Sequence, residues 1–282
     1  MSKIDEYWAE HTVPTEYFAS KEKAQEFSKW RLDLYPFYWE FMKLYELHEN
    51  EIIVDYGCGP GNDLVHFIKT KAKKIIGIDI SNKALIFAKH QLSLYNIPIP
   101  VELIKINDDT ITIPLKDNSV DYIICSGVLH HASQPLSILK EFFRILKPNS
   151  LIRIMVYNRN SIFFHLYIAY LKRGGFPNND ADIMFSKSTD GEHCPKSIAY
   201  IPKDFVEICN NIGFQTKYIG GYFSSKDSID YLNNYKQAAI NDNNLRQEHR
   251  DFLNSIKIDK DGCPTYEEKY CGIGGVYELY KK

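Results

Sequence analysis

Several features that would place a chain in a large functional group are missing here. The six cysteines, Cys58, Cys125, Cys194, Cys209, Cys263 and Cys271, form no C-x-x-C pair. Structural zinc sites and thioredoxin-like redox centres rely on that spacing, so neither is expected, and nothing calls for a metal. The three-cysteine cluster that holds an iron–sulfur centre in radical enzymes is missing too. No hydrophobic run is long. The longest, Ile162 to Leu171, is broken by His165 and is about half of what a bilayer span requires. Charge of one sign is also scarce: the net charge is −2, and the Lys71, Lys73, Lys74 group is too short to act as a basic stripe. Nucleic-acid binding draws most of its affinity from phosphate contacts, so a nucleic-acid substrate is disfavoured. The opening MSKIDEYWAEH is charged and aromatic, unlike a secretion signal. A cytoplasmic protein with reduced thiols and no membrane segment is the expectation.

What is abundant is aromatic: 14% of residues, with 20 Tyr and 16 Phe. Rings in that number suit both a packed core and a ring-lined pocket. Residues 21–48 space Phe27, Trp30, Leu34, Phe37, Phe41 and Leu44 as a helix does, with Pro36 expected to kink or restart it. From residue 51 the pattern alternates. EIIVDY, KKIIGIDI, VELIKIN, VDYIICS and LIRIMVY read as buried strands separated by helical stretches, with Ser81 placed to cap one helix. FQTKYIGGYF and GGVYELYKK add two more strands, and Gly213 sits where a helix would stop. This is an α/β pattern: a doubly wound, seven-stranded sheet covered on both faces. The expected layout is an N-terminal helical cap over residues 1–49 and a core over 50–157. An insertion on the substrate side follows over 158–200. Residues 201–282 complete the core and carry a helical insertion at about 226–256 that is compatible with a homodimer.

The chemistry is concentrated at the end of the first strand, in Val54-Asp55-Tyr56-Gly57-Cys58-Gly59-Pro60-Gly61-Asn62-Asp63. Gly57, Gly59 and Gly61 permit a tight turn with close approach of a ligand to the backbone. A dinucleotide fingerprint would need glycine where Asn62 stands, and it lacks a carboxylate like Asp55. That carboxylate repels a pyrophosphate and suits a zwitterionic amino acid bearing a sulfonium, which argues against a nicotinamide oxidoreductase. Asp79 ends the second strand, where a carboxylate can accept both hydroxyls of a ribose.

These motifs, together with IPLKDNSVDYIICSGVLHH and EFFRILKPNSLIRIMVYNRNS, resemble the successive motifs of class I S-adenosylmethionine-dependent methyltransferases. The similarity is to the branch typified by ubiquinone and menaquinone biosynthesis, and it covers about residues 50–157. It implies S-adenosyl-L-methionine as cofactor, S-adenosyl-L-homocysteine as product and a small-molecule acceptor. By resemblance, Gly57, Gly59 and Gly61 contact the methionyl portion, and Asp55 holds its amino end. Asp79 binds the ribose, Ile80 packs on the adenine, Asp109 with Thr110 beside it receives the adenine amino group, and Ser126 flanks the methionine. Asp108 replaces a common glycine of the family, and Lys147-Pro148-Asn149-Ser150 replaces its K-P-G-G turn, where Asn149 can take the left-handed conformation.

His131, in the His130-His131 pair after the fourth strand, is the expected general base if there is one, with Tyr157 on the same rim. Packing or loop capping is the competing role for both. His193-Cys194 is expected to be surface loop. Tyr7, Trp8, Tyr17 and Phe18 are placed either to close over the cofactor or only to seal the core. Two other functions stay open: a non-catalytic module that binds S-adenosylmethionine, and an RNA methyltransferase whose insertions hold single-stranded bases.

Overall fold

A computed structural model describes residues 2–11, 17–110, 112–174, 180–225 and 229–282. Five parallel strands come first: β1 (Ile52–Tyr56), β2 (Lys74–Asp79), β3 (Val101–Lys105), β4 (Val120–Ser126) and β5 (Leu146–Tyr157). Then come β6 (Gln215–Tyr222), three short strands β7 (Lys257–Ile258), β8 (Pro264–Tyr266) and β9 (Lys269–Tyr270), and β10 (Gly274–Lys281). The main sheet has seven strands in the order β3-β2-β1-β4-β5-β10-β6, with β10 antiparallel to both neighbours. The expected doubly wound α/β architecture is therefore present. Because strand order reverses between β1 and β4, their carboxyl ends diverge and leave a crevice there.

Helices cover both faces. On one side α6 (Pro135–Ile145) and α8 (Pro202–Ile212) pack Phe142 and Phe205 against Val54, Ile123, Ile154 and Tyr277. Both helices begin with proline, whose missing N–H costs nothing at that position. Gly213 ends α8 as expected. On the other side lie α3 (Tyr38–Met42), α4 (Leu64–Phe67) and α5 (Asn82–Ser93), whose Met42, Leu64, Phe67 and Leu85 meet Ile53 and Ile124. Ser81 caps α5 by accepting from the Ala84 N–H at 3.1 Å. Before them come α1 (Lys3–Glu10) and α2 (Lys21–Leu34); α2 stops just ahead of Pro36, so the 21–48 pattern is two helices.

Four local expectations change. The helix expected to run to about residue 70 shrinks to α4, because tighter turn bonds follow it, Lys69 N–H to the His66 carbonyl and Thr70 N–H to that of Phe67. The 226–256 stretch splits into α9 (Ile229–Asn241) and α10 (Gln247–Ser255), since Asp242 turns the chain by accepting from the Asn244 N–H at 2.8 Å. Residues 226–228 of that stretch lie outside the described residues. The sheet β7-β8-β9 was not anticipated. Residues 147–150 widen into a register shift within β5, with Asn149 at φ +62°, left-handed as expected.

The insertions form a core of their own. A π-helix over Phe163–Leu171, α7 (Ala181–Ser188), α9 and α10 bury Phe164, Met184, Phe185, Leu232 and Leu253 together. They hold a wall beside the carboxyl ends of β4 and β5. No helix among the described residues is long and apolar enough to cross a membrane.

Candidate active site

A cavity of about 610 Å³ opens at the crevice, floored by the ends of β1, β2, β4 and β5 and roofed by α1 and α2. Gly57 (φ +76°) and Gly59 (φ +53°) make its first wall, both in the left-handed region that glycine enters without strain. They differ in surroundings. A Cβ on Gly57 would lie 2.1 Å from Val128 Cγ2, whereas one on Gly59 would meet no atom within 4 Å. Gly57 is thus dictated by packing, and Gly59 leaves space for a ligand.

Two carboxylates face this space. Asp79 is held by two backbone N–H groups, Gly59 to Oδ2 at 2.8 Å and Ser81 to Oδ1 at 2.7 Å. Burial still pushes its carboxyl above the ordinary value, against those bonds and Lys105. Asp55 is 3% exposed, and its Oδ2 has no hydrogen-bond partner among the described residues. Burial pushes its carboxyl well up, the charges of Asp63 and Asp79 add to this, and Arg31 opposes it. A buried carboxylate in this position needs a cation to stay ionised. An α-ammonium group beside Asp55 and ribose hydroxyls at Asp79 meet both demands, so the residues present fit S-adenosylmethionine.

The roof adds a cation. Arg31 of α2 reaches Asp63 at 2.5 Å and donates to the Tyr38 hydroxyl at 3.0 Å; Tyr38 in turn donates to Asp63, and its oxygen lies 3.2 Å from the Ser126 hydroxyl. Burial drives Asp63 upward, yet Arg31 and Tyr38 together outweigh it and the carboxyl ends below its usual value. This group stands at the same end as Asp55, where its guanidinium suits a carboxylate.

Of the residues expected from sequence, Asp55, Gly57, Gly59, Asp79, Ile80, Ser126, His131 and Tyr157 line the cavity. Gly61 does not; it packs on Ala88, where a Cβ would come within 3.2 Å. Asp109 is exposed and Thr110 accepts from the Asn107 N–H at 3.1 Å, both away from the cavity. Asp108 faces the cavity in their place. Its Oδ1 accepts from the Ser133 N–H at 3.0 Å, and its own N–H donates to Asp5 of α1 at 2.9 Å, which ties the roof to the floor. The Ser2 hydroxyl at the start of α1 donates to the other oxygen, Oδ2, at 3.3 Å, so Asp108 rather than Asp109 is the carboxylate of this loop held at the cavity.

His131 is not arranged as a base. Its Nδ1 donates to the Lys196 carbonyl at 2.6 Å, and its Nε2 lies 3.4 Å from Asp190 Oδ2. Burial lowers its pKa, but bonds to Asp190, Cys194 and Lys196 and the Asp190 charge outweigh it, raising the value to about 9. The imidazole is then a fixed cation at neutral pH. His130 is fully buried, with its pKa pushed well down by burial and by His131. Tyr157 donates to Asp190 Oδ2 at 2.7 Å, and burial with that carboxylate pushes its phenol well above the ordinary value. Of the four lid candidates, Trp8 lines the cavity with its ring edge on His131 at 5.1 Å, and Tyr7 donates to the Asp190 carbonyl. Tyr17 packs on Phe87 and His90, and Phe18 on Phe27. Cys194 lies 3.7 Å from His131 and is buried, whereas His193 is exposed.

Arg31, Tyr38, Asp63, Asp108 and Asp190 were missed as site residues. Asp63 closes the glycine motif and carried that signal; the others become visible only when the chain folds back. Among the described residues no group of three His, Cys, Asp or Glu is placed to hold a metal.

Residues 47–167 match the family model described as a methyltransferase domain. That match places a methyltransferase domain on the first five strands of the sheet. The chain is 23% identical over 163 residues to a ubiquinone biosynthesis O-methyltransferase of Neisseria meningitidis, covering 57% of this chain and 62% of that one. An uncharacterised 37.1 kDa protein of a Streptomyces fradiae transposon is 37% identical over 101 residues, 35% of this chain and 28% of the other. The chain thus spans less than two thirds of the length of these curated relatives. A S-adenosylmethionine-dependent methyltransferase of Methanosarcina mazei shares the fold at a TM-score of 0.52 and 17% identity, over 88% of this chain and 98% of that one. The Asp55 Oδ2, without a hydrogen-bond partner among the described residues, lies where the ammonium group of S-adenosylmethionine would be neutralised.

Proposed function

We propose that the protein transfers a methyl group to an O, N, S or C atom of a small-molecule acceptor, by in-line displacement, in a biosynthetic pathway of the cytoplasm. The observation that carries the reading is the cavity itself: it joins the Asp55–Asp79 cofactor end to a ring-lined end beside Met155, Tyr157, Phe163 and Tyr222. A cofactor end without a second chamber would serve a binding module; this one leads to a place for an acceptor. Bound S-adenosylmethionine supplies an electrophilic methyl group on sulfur. The protein's part is alignment, which can account for on the order of 7–11 kcal/mol of a barrier without a strong catalytic side chain. Arg31 and Asp55 hold the amino-acid end, Asp79 the sugar, and Trp8, Phe27 and Trp30 cover them from the roof.

The cavity argues for a small acceptor over RNA. Its acidic groups Asp55, Asp63, Asp79, Asp108 and Asp190 face two cations, Arg31 and His131, each already opposite a carboxylate. Phosphates find no unpaired charge there. Calorimetric titration with S-adenosylhomocysteine tests the cofactor half of the proposal, with micromolar or tighter binding expected. Incubation with deuteriomethyl-labelled cofactor and a metabolite extract tests the other half: label is expected in a small molecule. Label found only in RNA, bound in a salt-sensitive way, would replace this reading with the RNA methyltransferase.

A further inference from the structure

The ring-lined end of the cavity is closed by Asp190, from the first insertion. Asp190 (φ +55°) and Gly191 (φ +95°) make a left-handed turn that brings the carboxylate over the ends of β4 and β5. Three parts of the chain converge on it: Tyr7 of α1 donates to its backbone carbonyl, while Tyr157 of β5 and His131 after β4 engage its side chain. The two carboxylate oxygens are not equivalent. Oδ2 takes both the Tyr157 hydroxyl at 2.7 Å and the His131 ring nitrogen at 3.4 Å. Oδ1 has no hydrogen-bond partner among the described residues, and the side chain keeps 23% of its surface exposed.

We infer that Asp190 binds the acceptor: Oδ1 accepts a hydrogen bond from an O–H or N–H group of a neutral, ring-bearing alcohol, phenol or aromatic amine. The inference rests on the transferase reading above and names the substrate class for that site. The open oxygen selects a hydrogen-bond donor and repels carboxylates and thiolates. The His131–Asp190 pair is electrically neutral as a unit, so the chamber places no premium on a cationic acceptor. Trp8, Tyr157, Phe163 and Tyr222 supply flat apolar walls for a ring. Because Tyr157 and His131 fix Oδ2, the carboxylate does not rotate away, and Oδ1 is aimed by parts of the core instead of by its own loop. During transfer the acceptor's lone pair forms the bond to the methyl carbon, and the methyl–sulfur bond breaks with its pair left on sulfur. The acceptor's O–H or N–H bond then breaks toward Oδ1, which ends protonated.

The test is a binding measurement on the full chain saturated with S-adenosylhomocysteine, using saturation-transfer NMR. The probes are matched pairs: catechol against 1,2-dimethoxybenzene, and aniline against N,N-dimethylaniline. Catechol and aniline are expected to bind about tenfold or more tightly than their methylated partners. The preference should vanish in Asp190→Ala and fall severalfold in Asp190→Asn, an isostere that keeps the turn if the alanine variant does not fold. Affinity for S-adenosylhomocysteine should be unchanged in both. Equal binding within each pair, a preference retained in the folded variants, or failure of every probe to enter the chamber overturns the inference. Loss of S-adenosylhomocysteine binding by the unmodified protein would count against the transferase reading itself.

Discussion

Nε2 of His131 stands 3.4 Å from Oδ2 of Asp190, while Nδ1 of the same ring donates to the Lys196 carbonyl at 2.6 Å. A ring with a carboxylate near one nitrogen and a carbonyl on the other favours the form in which both nitrogens carry protons. His131 therefore clamps the insertion to the core as a cation.

That clamp makes stability depend on pH in a defined direction. The folded value, about 9, lies above the unfolded value of 6.5, so the native state holds the proton more tightly. The contribution is fully present below about pH 6.5 and is lost as pH rises through 9; it amounts to about 3 kcal/mol at most. Urea unfolding between pH 6 and 10 should show the unmodified protein losing this advantage over His131→Gln. A constant gap between the two across that range contradicts the charged clamp.

Asp55→Asn separates binding from folding. Removing the charge relieves burial and repulsion from Asp63 and Asp79, so the ligand-free protein should melt at the same temperature or higher. Affinity for S-adenosylmethionine should drop about 10- to 100-fold, the worth of a charge-assisted contact. Unchanged affinity in calorimetry would remove Asp55 from the site.

The two motif glycines should fail differently when changed to alanine. Gly57→Ala drives a methyl group into Val128 at a positive φ, costing about 2 kcal/mol or more in chemical denaturation. Gly59→Ala meets no neighbour and costs about 1 kcal/mol of backbone strain, but the added methyl enters the cofactor's space and should weaken binding. Equal stability losses with cofactor affinity preserved would contradict the assigned geometry.

Arg31 and Asp63 should behave as a unit. Arg31→Met leaves the buried Asp63 carboxylate without its counter-charge and should destabilise by about 1–3 kcal/mol, the Arg31 side chain keeping 25% of its surface. Adding Asp63→Asn should recover part of that loss. Additive effects in the double-mutant cycle would show that the pair carries no coupling.

Acid should loosen the fold through its buried neutral histidines. Burial holds His66 at about 4, against an unfolded value of 6.5, and lowers His130 and His165 as well. These groups favour the native state above about pH 6.5 and lose that effect as pH falls toward 4. Melting curves from pH 7 to 4 should show a progressive decline that His66→Gln makes shallower.

The sheet and its cofactor turn were legible because both are written locally. Alternating apolar strands and amphipathic helices impose their periods on adjacent residues, and Asp55, Gly57 and Gly59 sit in one unbroken motif where backbone geometry and ligand contact coincide. Local pattern falls short where a distant neighbour decides the outcome. Counting along the chain points to Asp109, but Ser133 and Ser2 hold the Asp108 carboxylate at the cavity and leave Asp109 exposed. His131 had the right pKa range for a base, until Lys196 and Asp190 occupied both nitrogens.

From sequence alone, then, came the architecture, the cofactor class and the first two carboxylates, since short-range periodicity and a contiguous turn suffice to specify them. Tertiary structure alone decided the roof and the acceptor end. Arg31 meets Asp63 from 32 positions away, and Asp190 reaches Tyr157 from 33. Contacts of that kind depend on where loops of no fixed period are carried by the packing of distant helices, which no local pattern encodes.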